Sequence, residues 1–145
     1  MSEVMQVTPL GGPEQQWISD RRAYAAQEGV DHLDLDAVSA YQDALMARAD
    51  GPEPVDPEEL GVLLEVVAVL LGEHLGARHG MQWVVVRDDD GADLGLRDPL
   101  SDAVVFPQAV VAERWNAAEP GWIPPYVDWL GAQLPELRAQ VRAQG

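Results

Sequence analysis

The chain contains no cysteine and no lysine. Without cysteine there is no disulfide framework, no thiol nucleophile and no cysteine-ligated zinc site. All 9 basic residues are arginines, and 25 acidic residues bring the formal net charge to −16. Nucleic acids and anionic membranes are bound through cationic side chains, so this charge argues against both as partners. It favours a basic protein as partner, although such a charge more commonly serves solubility.

Hydroxyl nucleophiles and nucleotide-binding motifs are also scarce. The sequence has four serines, one threonine and no Gly-x-Ser-x-Gly elbow. Its spaced glycines, Gly72, Gly76 and Gly80, lie in or just after a predicted helix, whereas a phosphate-binding loop or a dinucleotide fingerprint joins a strand to a helix. The first residues lack a basic region followed by an apolar core, so we expect no secretory signal and a cytoplasmic location.

The most informative segment is a predicted helix over residues 57–78. Asp56 can cap it and Pro57 suits its first position, where a backbone N–H would have no partner. Between Leu60 and Leu71 the only charge is Glu65, so the helix is apolar on most of its circumference and must be covered on several sides or cross a membrane. A membrane span needs about 20 consecutive apolar residues, and the charges interrupt this run. We therefore predict a central core helix.

A β-hairpin is predicted to follow this helix. Gln82 to Arg87 is rich in β-branched and aromatic residues, and Asp90-Gly91 is a hairpin turn signal. Residues 92–97 alternate between apolar and polar, which is typical of a strand with one buried face. Trp83 to Val86 does not alternate, so we expect that strand to be central and covered on both faces. With Ala103 to Phe106 as a third strand, the fold class is α+β: a small three-stranded antiparallel meander packed on a long central apolar helix.

Additional helices are predicted on both sides of this unit in sequence. Residues 1–12 are interpreted as a flexible lead-in and residues 13–145 as a single α+β domain. Trp122 to Pro125 is interpreted as a rigid turn before a last helix, which Pro135 is expected to break or kink.

A row of mostly small residues runs along one side of the predicted central helix. Gly61, Glu65, Ala68, Gly72 and Gly76 follow one another at spacings of three or four. Each interior glycine weakens a helix by roughly 1 kcal/mol relative to alanine, so we interpret the row as a place where another element packs closely. The alternative is a solvent-facing edge where residue size has little meaning.

Two acidic clusters contain side chains of the kind that bind metals, and neither is predicted to be a metal site. In Asp88-Asp89-Asp90-Gly91-Ala92-Asp93 the spacing of an EF-hand loop is not met, so the cluster is interpreted as a solvated hairpin tip. Around His32, the alternating acids of residues 31–36 could join His74 and His79 only if the fold brought them together, and one of those acids is needed as a helix cap. No metal or other cofactor is predicted.

Two further features could carry chemistry. Glu65 is the one carboxylate on a mostly buried helix, where desolvation would raise its pKa and suit acid–base catalysis; the alternative places it on a narrow wet edge. Trp115, Trp122, Tyr126 and Trp129 gather in the last third of the chain and could line a ligand pocket or a partner surface, or simply belong to the core.

The run from Leu60 to Trp115 resembles a bacterial domain of unknown function, family 3806. The residues that carry the resemblance are the helix ending Leu71-Gly72-Glu73, then Trp83-Val84-Val85-Val86-Arg87-Asp88, Gly91-Ala92-Asp93-Leu94, and Phe106-Pro107 leading to Arg114-Trp115. The family implies a helix followed by a hairpin, and it implies no activity or functional residues.

Three functions are consistent with these observations. The first is a non-enzymatic interaction module, immunity-like or regulatory, whose partner is a basic protein; its partner-binding candidates are Asp88, Asp89, Asp90, Trp122, Tyr126 and Trp129. The second is a small-ligand binder that uses the C-terminal aromatic residues. The third is a hydrolase-like enzyme that uses buried carboxylates, including Glu65.

Overall fold

The computed structural model describes residues 5–144 and confirms the α+β class. In chain order the elements are β1 (Gln6–Thr8), α1 (Gly12–Gln27), α2 (Leu35–Ala49), α3 (Pro57–His79), β2 (Gln82–Asp88), β3 (Gly91–Arg97), β4 (Val104–Val105), α4 (Pro107–Asn116) and α5 (Ile123–Gln144). The four strands form one antiparallel sheet in the order β1-β2-β3-β4.

The α3 helix is the centre of the molecule, as predicted. The Asp56 carboxylate accepts a hydrogen bond from the N–H of Glu59 at 3.4 Å, and Gly80 ends the helix in the left-handed conformation, with φ of 74°. Helices α1, α2, α4 and α5 and strand β2 all pack on it. By length and composition alone α3 could cross a membrane, but 56% of its most apolar window is buried inside the protein. This burial is what a core helix requires.

The sheet has four strands rather than the three predicted. The additional strand, β1, lies within the segment interpreted as a flexible lead-in and pairs with β2, with Val7 opposite Val86. A three-residue edge strand that is mostly exposed has too few residues to show an alternating pattern. Strand β2 pairs with β1 at one edge and with β3 at the other, so it is central as expected, and its three valines are buried.

The row of small residues on α3 produces close packing at one position in particular. A Cβ atom on Gly72 would overlap the six-membered ring of Trp83 and lie 2.8 Å from Leu96 Cδ1. Strands β2 and β3 therefore approach the helix at a point where any side chain would hold them apart. At the other end of the row Gly61 has open space around it, so the close approach concerns the C-terminal half of α3.

Helix α5 differs from its prediction in two ways. It begins at Ile123, so Pro124 and Pro125 lie in its first turn, where their missing N–H groups leave no bond unmade. It also continues as one helix through Pro135, so of the predicted break or kink the break is absent. Leu134 is fully buried just before this proline, and Arg138 is anchored one turn after it. These tertiary contacts outweigh the local cost of an interior proline.

The anchor of Arg138 is an ion pair with Asp98, whose surface is fully covered, whereas the Arg138 side chain is 24% exposed. The Nε and Nη2 groups of Arg138 donate to the two carboxylate oxygens of Asp98, each at 2.9 Å, and Nη2 also donates to the carbonyl of His79 at 2.9 Å. The Ser101 hydroxyl donates to the same carboxylate at 2.7 Å. The cluster joins the end of β3, the end of α3 and the last third of α5.

Opposing effects act on the pKa of the Asp98 carboxyl. Burial raises it, but the hydrogen bonds from Arg138, Ser101 and the N–H of Leu100, together with the arginine charge, outweigh burial and lower the pKa below its usual value. The carboxyl is therefore charged at neutral pH, and Arg138 supplies the opposite charge that its burial requires.

Candidate functional site

A groove lies between the end of the sheet, helix α4 and the start of helix α5. Its volume is about 890 Å³, within the range of known ligand sites. Apolar and small residues dominate its lining, and only three lining residues are charged. The groove is lined by Val105, Phe106, Ala109, Val110, Glu113, Arg114, Ala118, Glu119, Pro120, Gly121, Trp122, Pro125, Tyr126 and Trp129. We call this feature the aromatic groove.

One wall of the aromatic groove carries Trp122, Tyr126 and Trp129. Spacings of four and three residues place these side chains along one face at the start of α5. Trp122 meets Tyr126 edge-on, with ring centroids 5.9 Å apart, and Tyr126 is tilted by 36° against Trp129 at 6.1 Å. Trp122 is only 5% exposed, whereas Trp129 is 57% exposed. The exposure of the aromatic side chains therefore increases along this wall, from Trp122 in the core to Trp129 in solvent.

The segment between α4 and α5 forms a second wall and is held by specific contacts. Ala118 and Gly121 both have positive φ, at 53° and 67°, which produces a tight path. The N–H of Gly121 donates to the Asp43 carboxylate on α2 at 2.9 Å. Arg114 donates to Glu119 across the segment at 2.8 Å. These contacts fix the path of the segment relative to α2 and α4.

The charges along the groove are unevenly satisfied. Arg114 is neutralised by Glu119, and both side chains are partly exposed. Glu113 also lines the groove and is exposed, and within residues 5–144 it has no ion pair. Burial raises the pKa of Tyr126 above its usual value, which the nearby Arg114 partly offsets, so its phenol is protonated at neutral pH. The groove thus offers aromatic faces, one phenol and one carboxylate that has no counter-ion in the described chain.

The predicted partner-binding residues fall into two groups. The structure brings Trp122, Tyr126 and Trp129 together in the groove. Asp88 and Asp90 lie at the exposed tip of the β2–β3 hairpin, where the N–H of Asp90 donates to the Asp88 carboxylate at 2.8 Å. Asp89 shares this tip, and none of the three aspartates lines the groove.

Glu65 lies on α3 in a different setting. Its carboxylate accepts hydrogen bonds from Arg21 Nε at 3.3 Å and Nη2 at 3.1 Å, and the guanidinium lies over the Trp17 ring, 4.4 Å from the centroid. The Glu65 side chain is 33% exposed and lines a small cavity of about 250 Å³ beside Gln108. The glutamate thus fastens α1 to α3 at a partly wet position.

We expect Glu65→Gln to leave the fold intact and to lower the free energy of unfolding by about 0.5–1 kcal/mol, because a partly exposed ion pair is screened by water. Urea denaturation followed by circular dichroism measures this loss, which should shrink as salt is added. Glu136→Gln, at an exposed position on α5 that forms no ion pair within the described chain, is the control. A loss above about 3 kcal/mol would show a desolvated charge instead.

The histidines do not assemble with the acidic residues around His32. Within residues 5–144 no group of three or more metal-ligating side chains is found. The Nδ1 atom of the buried His74 lies 2.8 Å from the carbonyl oxygen of His32, and this contact ties α3 to the segment before α2. Burial lowers the pKa of His79 below its usual value, and the charges of Arg78 and Arg138 lower it further.

The sequence does not predict the wall of the groove that faces the aromatic residues of α5. Phe106, Val110 and Glu113 are separated by four and three residues, so one face of α4 and the residue before it point into the groove. This helical spacing was present in the sequence, but it could not show that the face meets the aromatic residues of α5. The Asp98–Arg138 pair was missed as well, because its members are 40 residues apart and share no local motif.

The fold and the groove together define a small α+β domain built on a central apolar helix, with an aromatic groove beside it. The family model described as Domain of unknown function (DUF3806) matches residues 44–126, from the end of α2 to the first turn of α5. The match covers more than half of the chain, and the protein belongs to this family. No curated protein and no solved structure matches the chain.

Proposed function

We propose that this protein is a non-enzymatic protein-interaction module, immunity-like or regulatory, and that the aromatic groove is where its partner binds. The observation that carries the proposal is the exposed Trp129 beside Tyr126 and Trp122 in a preformed groove. Trp and Tyr are the side chains that most often dominate the binding energy of protein interfaces. Because contacts within the protein already hold the groove, less conformational entropy is lost when a partner binds.

The charge of the protein supports a basic partner. The formal net charge is −16, and an electrostatic field of one sign accelerates association with partners of the opposite sign. The aspartates at the hairpin tip, Asp88, Asp89 and Asp90, belong to this field as exposed charges. In this proposal they contribute to long-range attraction, while the aromatic residues supply the contact.

Display selection of random peptides on the immobilised protein tests the function. We expect enriched peptides whose affinity falls about ten-fold or more in Trp129→Ala, as for a central interface residue. Leu33→Ala is the matched control, since Leu33 is an equally exposed apolar side chain outside the groove, and it should bind the same peptides unchanged. Enrichment of no peptide, or equal binding by both variants, would contradict the proposal.

A small apolar ligand is a second candidate, favoured by the volume of the groove. Because Trp122 and Trp129 line the groove, a bound aromatic or aliphatic compound should change the tryptophan fluorescence. Screening a metabolite library by fluorescence distinguishes the two candidates. A compound that competes with the selected peptides would assign both to the same groove, and a flat response across the library would contradict the small-ligand function.

A further inference from the structure

We infer that the groove is built to bind an arginine side chain of a basic partner segment, with the guanidinium against the aromatic wall and its charge met by Glu113. The inference rests on the proposed function and names the chemistry of the partner. Two places in the molecule carry an aromatic ring and a carboxylate. In one of them an arginine of the chain is bound, and in the other no arginine of the described chain contacts the carboxylate.

The first place is the cluster of Trp17, Arg21 and Glu65. The guanidinium of Arg21 lies over the Trp17 ring at 4.4 Å, and two of its N–H groups donate to the Glu65 carboxylate at 3.3 and 3.1 Å. An aromatic face attracts a guanidinium through its quadrupole, and a carboxylate receives its donors. A third group, Nη1, donates to the Trp17 carbonyl at 3.4 Å. In this protein a partly exposed arginine on α1 is thus held by a tryptophan ring and a glutamate, together with one backbone carbonyl.

The second place is the aromatic groove. It presents the exposed ring of Trp129, the partly exposed ring of Tyr126, inclined to it by 36°, and the carboxylate of Glu113. The neighbouring Arg114 does not complete the set, because it donates to Glu119 at 2.8 Å. In the described chain Glu113 has no ion pair. The groove thus holds the same two kinds of group as the Arg21 cluster, and a partner would supply the arginine.

Charge complementarity favours arginine over neutral or acidic occupants. Glu113, Arg114 and Glu119 give the groove a net charge of −1, inside a protein of formal net charge −16. The field attracts a cation at long range, and the apolar lining desolvates the aliphatic part of its side chain. The planar guanidinium also stacks on a ring while its edge donates to a carboxylate, which an ammonium group does less well.

Three capped peptides test the inference directly: Ac-Leu-Arg-Leu-NH2, its citrulline analogue and its glutamate analogue. Citrulline keeps the shape of arginine and removes the charge. Nuclear magnetic resonance titration of the tryptophan indole N–H signals gives the dissociation constants. We expect the arginine peptide to shift the groove signals and to bind roughly five- to thirty-fold more tightly than the citrulline peptide, with no binding of the glutamate peptide.

Two variants with the same change in net charge separate the role of Glu113 from the general field. Glu113→Gln should weaken the arginine peptide several-fold and leave the citrulline peptide unchanged. Glu136→Gln, at an exposed position outside the groove, should affect neither. Equal binding of the arginine and citrulline peptides, absence of shifts at the groove with the arginine peptide, or equal effects of the two variants would overturn the inference.

The failure of this inference is distinguishable from failure of the proposed function. If display selection enriches Trp129-dependent peptides that lack arginine, the interaction function stands and the arginine assignment is wrong. If selection enriches no Trp129-dependent peptide of any sequence and the arginine peptide does not shift the groove signals, both the interaction function and the arginine assignment are wrong.

Discussion

Replacing Arg138 with alanine is expected to lower the free energy of unfolding by about 3 kcal/mol, the lower end of the range for removing one partner of a buried ion pair, because the Arg138 side chain is partly exposed. The Asp98 carboxylate is completely covered and receives two hydrogen bonds from Arg138. Without Arg138 it would remain buried with only Ser101 and one backbone N–H as donors. Urea denaturation followed by far-ultraviolet circular dichroism measures the loss at pH 7.

Arg142→Ala is the matched control, because Arg142 lies one turn further along α5 and is exposed. It should change stability by no more than about 0.5 kcal/mol. Equal losses in the two variants would show that α5 needs any arginine near its end rather than this buried pair.

The pH dependence of stability supplies a second check on the same pair. The pKa of Asp98 is lowered by folding, so its contribution is fully present above the unfolded-state pKa, about 3.9, and is lost as the pH falls through the folded-state value. The difference between the wild-type protein and Arg138→Ala should therefore be largest near neutral pH and shrink in acid. A difference that stays constant down to pH 2 would contradict the role given to the carboxylate.

Gly72→Ala is expected to destabilise the protein by about 1–3 kcal/mol, although alanine is the better helix former. A Cβ atom there would overlap the Trp83 ring and press against Leu96. Since Gly72 and Trp83 are both in the packed interface between α3 and the sheet, the strands would have to shift. Thermal and urea unfolding measure the effect.

Gly61→Ala, on the same helix, is the opposing control. Its Cβ would meet open space, so the substitution should stabilise the protein by roughly 0.5–1 kcal/mol. Trp83→Phe replaces the indole with a smaller ring and should recover part of the unfolding free energy lost in Gly72→Ala. A double-mutant cycle detects this coupling. If both glycine variants were stabilised equally, the close approach at Gly72 would be disproved.

Much of the fold was predictable because its signals are local. Asp56, Pro57 and Gly80 mark the ends of α3, and Asp90-Gly91 marks the hairpin. The lack of alternation from Trp83 to Val86 indicated the central strand. Each of these features depends on residues close together in the chain, whose backbone preferences and periodicity can be read directly.

The parts that escaped prediction depend on distant residues. The short strand β1 forms by pairing with the edge of β2; Val7 and Thr8 favour a strand, but three residues are too few for a local pattern to predict one. Helix α5 continues through Pro135 because contacts on both sides hold it. The sequence predicts Trp122, Tyr126 and Trp129 as candidates, but their position beside Phe106 depends on how α4 and α5 meet, which no local pattern specifies.

The position of β1 has a consequence for how the chain acquires its structure during synthesis. Val7 lies opposite Val86, so this strand leaves the ribosome long before its neighbour has been translated. The β2–β3 hairpin pairs residues that are close in sequence. Strand β1 pairs with residues that are far away in sequence, and such contacts form more slowly. The N-terminal strand is therefore expected to complete the sheet last.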